Sequence, residues 1–173
     1  MQPFKQLIRD VRDWPTEGVT FKDISPLLAE PAAMRWCVDQ LAEPYRDQPI
    51  DRVVGIESRG FIFAVPVAAA LGVGFVPARK PGKLPGPTLR QHYDLEYGQD
   101  AIEIQVDAIA PGQRVLVIDD VLATGGTLSA TGQVVQQAGA SVVASAVLIE
   151  LSFLNGRALQ PQPVHAVWRY SQP

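Results

Sequence analysis

Cysteine is almost missing from this chain of 173 residues: Cys37 stands alone, which rules out an internal disulfide. It sits in the helical pattern Met34 to Leu41, where it reads as a small buried apolar residue and not as a nucleophile. Histidine is also scarce. His92 and His165 lie far apart with no ligand spacing, so the sequence supports no structural metal site. Positive charge is not in excess either; a net charge of −3 and a pI near 5.3 leave no electrostatic footprint for nucleic acid. The N-terminus lacks the long apolar core of a secretory signal. One uncharged run, the 18 residues from Phe61 to Ala78, reaches the lower limit for a membrane span. Pro66, Gly72, Gly74 and Pro77 divide it, so it reads as a buried helix to about Leu71, a Gly-Val-Gly turn and a strand through Phe75 and Val76. The expectation is a soluble, cytoplasmic chain.

What remains is an alternation of strands and helices. The length fits one domain, residues 1–173, with a single substantial core. The pattern predicts a helix around Phe4 to Val11, a turn at Trp14 to Gly18, a helix from about Pro31 to Tyr45 and a strand over Arg52 to Ile56. Further on it predicts a hairpin of Tyr93 to Tyr97 and Ala101 to Val106, joined by Gly98 to Asp100. Strands at Val142 to Ile149 and near Val164 to Trp168 complete the reading. Such alternation implies an α/β fold with a mostly parallel, twisted sheet flanked by helices, and ligands at the carboxyl ends of its strands.

The most informative stretch is Val115 to Thr127. Val115 to Ile118 reads as a strand buried on both faces, Gly125 and Gly126 mark its end, and a helical period follows at Leu128, Thr131, Val134 and Ala138. A strand, a small-residue loop and a helix N-terminus form an anion site, because glycines admit close approach and free N–H groups point into the loop. Ala123, Thr124, Gly125, Gly126 and Thr127 would cradle a phosphate, with two hydroxyls added to the backbone donors. Asp119 and Asp120 would repel a bare phosphate, so something neutral or cationic must accompany it, and a vicinal diol fits best. The pair together with the cradle reads as a site for a phosphorylated ribose; a plain βα loop with an acidic N-cap is the alternative. The lysine of a P-loop is absent, which argues against a nucleoside triphosphatase.

Two more strand ends carry charge. Glu57, Ser58, Arg59 and Gly60 repeat the strand, polar loop and helix arrangement with a guanidinium added. Arg79, Lys80 and Lys83 put three cations after the next strand, in a segment rich in proline and glycine from Pro81 to Pro87.

The stretch Val115 to Thr127 resembles the phosphoribosyl pyrophosphate-binding motif of the type I phosphoribosyltransferases, and the other segments resemble the adenine-using branch of that family along almost the whole chain. The resemblance implies a single-domain type I phosphoribosyltransferase fold, with a small hood at about residues 1–30 and a flexible lid hairpin at about 81–103. It implies transfer of the 5-phosphoribosyl group to adenine, giving AMP and pyrophosphate, with Mg²⁺ bound mainly through phosphoribosyl pyrophosphate. Asp119, Asp120 and the Ala123 to Thr127 loop would hold the ribose and its 5-phosphate; Ser58, Arg59, Arg79, Lys80 and Lys83 would hold the diphosphate. Thr20, Phe21, Lys22 and Val121 would form the base site, Phe21 stacking on the purine opposite Val121 and the Thr20 backbone reading its edge. Glu96, in the Tyr93 to Gly98 stretch, would manage the proton on the purine, and Arg59 would act in catalysis. The family resemblance also implies a homodimer and no nucleic-acid or membrane partner. Glu17 stands where the family commonly has proline, and Lys22 where arginine is common, which keeps the charge and loses the bidentate fork. A phosphoribosyltransferase for another base, or a regulator that senses phosphoribosyl pyrophosphate without catalysis, would share the strand-end loops.

Overall fold

Val, Ile and Leu dominate the strands that build the centre of the molecule, and in the computed structural model, which describes residues 3–94 and 98–173, they form one five-stranded parallel sheet. In chain order the elements are strands β1 (Arg9–Arg12) and β2 (Thr20–Asp23), helices α1 (Ser25–Leu28) and α2 (Pro31–Ala42), β3 (Arg52–Ile56), α3 (Gly60–Leu71) and β4 (Gly74–Ala78). There follow β5 (Thr88–Asp94), β6 (Gln99–Gln105), β7 (Arg114–Leu122), α4 (Gly126–Gln137), β8 (Ser141–Leu151) and β9 (Val164–Tyr170). The parallel sheet runs β4-β3-β7-β8-β9, while β1-β2 and β5-β6 are separate antiparallel hairpins.

Alternation along each strand sends neighbouring side chains to opposite faces, so both faces of the sheet are buried. Val53, Leu116, Ile118, Ala146, Leu148 and Trp168 pack under α2 and α3. Val54, Val76, Val115, Val117 and Val147 pack on the other face, under α4 and the β6 residues Ile102 and Ile104. Cys37 lies fully buried in the first layer, and burial pushes its thiol pKa up to about 12, in line with the apolar role expected of it.

Four expectations shift. The helix expected over Phe4 to Val11 is a single 3-10 turn, Lys5–Leu7, followed by β1. So short a segment gains little from helix formation, and the ladder to β2 offers its backbone partners and two cross-strand ion pairs, Arg9 to Asp23 at 2.5 Å and Lys22 to Asp10 at 2.8 Å. The helix expected to reach Tyr45 stops at Ala42 and tightens into a 3-10 turn over Glu43–Tyr45, where Pro44 has no N–H to give. The first strand of the second hairpin begins at Thr88, ahead of the expected Tyr93, and Gln99 and Asp100, expected in the joining turn, pair instead with Asp94 and Tyr93. Finally, β7 runs past Ile118 through both aspartates to Leu122, held by pairing of Asp119, Val121 and Leu122 with Val147, Ile149 and Glu150 of β8. Two 3-10 turns, Ser152–Leu154 and Gly156–Leu159, join β8 to β9 and were not legible in the sequence.

The consequence for function is positional. Since β4, β3 and β7 are parallel neighbours, the loops after them emerge side by side. The β1-β2 hairpin brings Phe21 to that edge from one side, and β6 is tied to the end of β4 by paired backbone bonds between Arg79 and Glu103 at 2.7 and 2.9 Å.

Candidate active site

Three adjoining cavities occupy this edge. The smallest, about 80 Å³, is lined by Asp119 and the run Val121 to Leu128. It lies at the N-terminus of α4, whose N-cap residue Gly125 has a positive φ of 88° and makes no side-chain capping bond. The first-turn N–H groups of α4 thus lack intrahelical acceptors and face outward with the positive end of the helix dipole. Thr127 Oγ1 is positioned there too and bonds Tyr93 Oη at 3.1 Å.

A second cavity of about 410 Å³ is lined by Trp14, Phe21, Ile56, Glu57, Ser58, Arg59, Lys80, Asp119, Asp120 and Thr127. Its floor is the acidic pair. Asp119 Oδ1 accepts the Asp120 N–H at 2.9 Å and lies against the start of α3, where a Cβ on Gly60 would come within 2.9 Å of it. Glycine at 60 is what lets the helix start so close to the carboxylate. Asp120 is buried and faces Arg59, with Nε 2.6 Å from Oδ2. Burial raises the pKa of both carboxyls; the Asp120 charge raises Asp119 further, whereas Arg59 works against the rise at Asp120.

Glu57 organises the cations. Its carboxylate accepts from Arg79 Nε at 3.1 Å, the Lys80 N–H at 2.8 Å and Lys83 Nζ at 2.5 Å. Burial alone would raise its pKa, but the bonds from Lys83 and the Lys80 N–H outweigh that and keep it below the ordinary range. Lys80 Nζ is paired with Asp100 and bonds Tyr93 Oη at 2.5 Å. The β5-β6 hairpin is therefore pinned to the second cation segment and, through Tyr93 and Thr127, to the start of α4.

The third cavity, about 310 Å³, is lined by Val19, Thr20, Phe21, Lys22, Arg59, Asp120, Val121, Ala123 and Leu151. Phe21 meets the Trp14 ring edge-on at 4.4 Å between centroids, and the Arg59 guanidinium sits 4.7 Å from its centre. A flat apolar slot thus opens directly beside the acidic pair, sharing Phe21, Arg59 and Asp120 with the larger cavity.

Of the residues singled out in the sequence, Thr20, Phe21, Val121, Ser58, Arg59, Lys80, Asp119, Asp120 and the Ala123 to Thr127 loop all line these cavities. Arg79 and Lys83 stand just outside, bound to Glu57. Lys22 lines the apolar slot, yet its ammonium is taken up by Asp10 and by the Tyr170 ring, 4.5 Å from the centroid. Glu96 lies outside the described residues. Sequence reasoning passed over Glu57, Trp14, Tyr93 and Asp100. Glu57 and Tyr93 fell inside segments already quoted, but no spacing rule ties a carboxylate to cations some twenty residues later; Trp14 read only as part of a turn.

The acid pair has a stability consequence. With the folded pKa of Asp119 above its unfolded value, the unfolded chain loses its proton first, so stability falls as pH rises from about 4 and the loss persists at neutral pH. Asp119→Asn removes that burden. Its melting temperature at pH 7 should exceed that of the parent chain, and the gap should close below about pH 4; calorimetry showing equal melting at both pH values would refute the assignment.

The comparisons with known proteins agree with this geometry. A profile for the phosphoribosyl transferase domain matches residues 24–172. The chain is 58% identical over 153 residues to an adenine phosphoribosyltransferase of Clostridium perfringens, covering 88% of this chain and 89% of that protein. The crystal structure of adenine phosphoribosyltransferase from Rhodothermus marinus superposes with a TM-score of 0.92 at 53% identity over 96% of both chains. That of the Saccharomyces cerevisiae enzyme, complexed with an imino-altritol bisphosphate and adenine, gives 0.91 at 40% identity over 95% of this chain and 96% of that one. With a parallel sheet that presents an anion cradle, an acidic pair and a cation cluster along one edge, and with a domain match spanning most of its length, the chain belongs to the phosphoribosyltransferase family.

Proposed function

We propose that this chain transfers the 5-phosphoribosyl group from phosphoribosyl pyrophosphate to adenine, giving AMP and pyrophosphate, as a cytoplasmic enzyme of purine salvage. The observation that carries the reading is the adjacency of the apolar slot at Phe21 and Val121 to the acidic pair and the anion cradle, which is the order base, ribose, phosphate. Relatives at 58% and 53% identity bear the name adenine phosphoribosyltransferase and support adenine as the base.

In this reading the 5-phosphate rests on the N–H groups of Ala123 to Thr127, and the ribose hydroxyls donate to Asp119 and Asp120. Ser58, Arg59, Arg79, Lys80 and Lys83 receive the diphosphate, the four cations exchanging their carboxylate partners for phosphoryl oxygens. The bond from C1 of the ribose to the diphosphate breaks, its electron pair leaves with the pyrophosphate, and N9 of adenine bonds C1 from the opposite face. Cations gathered at the leaving group stabilise the charge that develops there. The proton on N9 passes to Glu96. Adenine stacks between Phe21 and Val121 while the Thr20 backbone reads its edge.

Asp119 and Asp120 form no group of three with another Asp, Glu, His or Cys among the described residues. The buried Asp120 and half-buried Asp119 would stand beside a Mg²⁺ ion carried in with phosphoribosyl pyrophosphate, and that ion would supply further neutralisation of the leaving group. The chain works as a homodimer: α3 carries no charged side chain, and Ile62 and Val65 stand 37% and 49% exposed on it. Sedimentation velocity should give a dimer for the parent chain and a monomer for Val65→Asp; a monomeric parent would end the proposal.

The defining experiment is pyrophosphate release by the purified protein with Mg²⁺ and phosphoribosyl pyrophosphate, supplying adenine, hypoxanthine, guanine and the pyrimidines one at a time. Adenine-dependent release with AMP formed is the expected result. Release with a different base would overturn the reading of Thr20 and Phe21, and tight phosphoribosyl pyrophosphate binding without release would make the chain a regulator. In the same assay Glu96→Gln should lower kcat more than it raises either KM, and a change confined to KM would make Glu96 a binding residue.

A further inference from the structure

The turn Gly156–Leu159 packs directly against the Ala123 to Gly125 backbone of the anion cradle, and the next residue, Gln160, reaches into the cradle's frame. The Gly125 carbonyl is the N-cap carbonyl of α4 and accepts the Ser129 N–H at 2.9 Å. A second donor reaches the same oxygen: Gln160 Nε2, at 3.0 Å, which also bonds the Gly156 carbonyl at 3.1 Å. Two carbonyl acceptors dictate which way the amide faces, and its Oε1 is left buried without a hydrogen-bond partner. The two backbones touch. A Cβ on Gly156 would fall 2.1 Å from the Ala123 carbonyl oxygen, and one on Gly125 would fall 2.3 Å from that of Gly156.

The turn itself is anchored. Arg157 forks onto the buried Glu150 of β8 through bonds of 2.9 and 2.6 Å, and its third nitrogen bonds the Val164 carbonyl at 2.6 Å. Glu150 in turn stands in register with Leu122, the last residue of β7 before the cradle. The line of contacts runs from the sheet through Arg157 and Gln160 to one peptide plane of the loop.

That plane needs an outside hold. Gly125 and Gly126 have no side chains to restrict rotation, and a turn of the peptide between them would swing a carbonyl oxygen toward the bound anion in place of an N–H. We infer that Gln160 is a positioning residue of the phosphate cradle, holding the Gly125 carbonyl back so that the N–H groups of the loop face the 5-phosphate. The inference rests on the proposed function, which makes this loop the 5-phosphate site. Since the phosphate does not change during transfer, Gln160 strengthens ground state and transition state alike, and its loss raises KM without lowering kcat.

The test uses the full chain, Gln160→Met, which keeps the length and removes the donor, and Gln160→Glu, which sets a carboxylate against two carbonyls. Steady-state kinetics with phosphoribosyl pyrophosphate and adenine are combined with calorimetric binding of AMP and of adenosine. Gln160→Met should raise KM for phosphoribosyl pyrophosphate and Kd for AMP by about fivefold to tenfold, the loss of one donor to a constrained carbonyl, and Gln160→Glu by more. The adenine KM, the adenosine Kd and kcat should stay within about twofold, since Gln160 touches neither base nor reacting atoms. A parent chain that prefers AMP to adenosine and a Gln160→Met variant that keeps the same preference would overturn the role. So would parallel losses for AMP and adenosine accompanied by a lower melting temperature, which mark a merely structural residue. A parent chain that binds AMP no better than adenosine would instead refute the phosphate site, and the proposed function with it.

Discussion

Everything at the active edge hangs from β7, and β7 cannot shift. It is hydrogen-bonded on both sides, to β3 and to β8, with Val53, Val54, Leu116 and Val117 locked in a parallel register that buries both faces. A one-residue slip would send its apolar side chains to the wrong layers and break two ladders at once. That rigidity is what allows two adjacent carboxylates to be held where water is scarce. Asp119 and Asp120 belong to the ordered strand, so they cannot relax into solvent to relieve their mutual repulsion, and Arg59 from the neighbouring strand end is the compensating charge.

Charge at the rest of the edge is balanced in the same way. Glu57 gathers Arg79 and Lys83, and Asp100 engages Lys80, so these three cations are each occupied by a carboxylate of the chain itself. In the proposed reaction an arriving diphosphate would substitute one set of anions for another and would not need to create a cationic pocket from nothing. The arrangement keeps a cluster of like charges in place without a ligand, and it sets a threshold: only a group with more negative charge or better-matched oxygens than a single carboxylate displaces these partners.

The fold was readable from the sequence where hydrophobic period and glycine placement agree, as at Arg52 to Ile56, Phe61 to Leu71 and the Val115 to Ala138 unit. It was misread where cross-strand partners decide the outcome. Arg9 to Arg12 has no strand signal of its own and becomes one through Asp23 and Thr20; Gln99 and Asp100 read as turn residues until Lys80 and Tyr93 draw Asp100 into the ladder. The site shows the same division. Residues that act through local geometry, the loop at Gly125 and Gly126 or the Asp119 pair, announced themselves in a short stretch. Glu57, Trp14 and Asp100 act through partners remote in sequence, and no local pattern names them.

Tyr170 carries a consequence of another kind. Its ring lies near Lys5 at 4.4 Å and Lys22 at 4.5 Å, so the first hairpin of the chain is seated on the last strand. The slot that Phe21 closes is thus the least local part of the molecule: its wall is made near one end of the chain and its foundation near the other. During synthesis neither part of this edge is complete until residues beyond 155 are made: Gln160 and Gly156 reach the loop at Gly125 from the turn before β9, and Tyr170 seats the Phe21 hairpin from β9 itself.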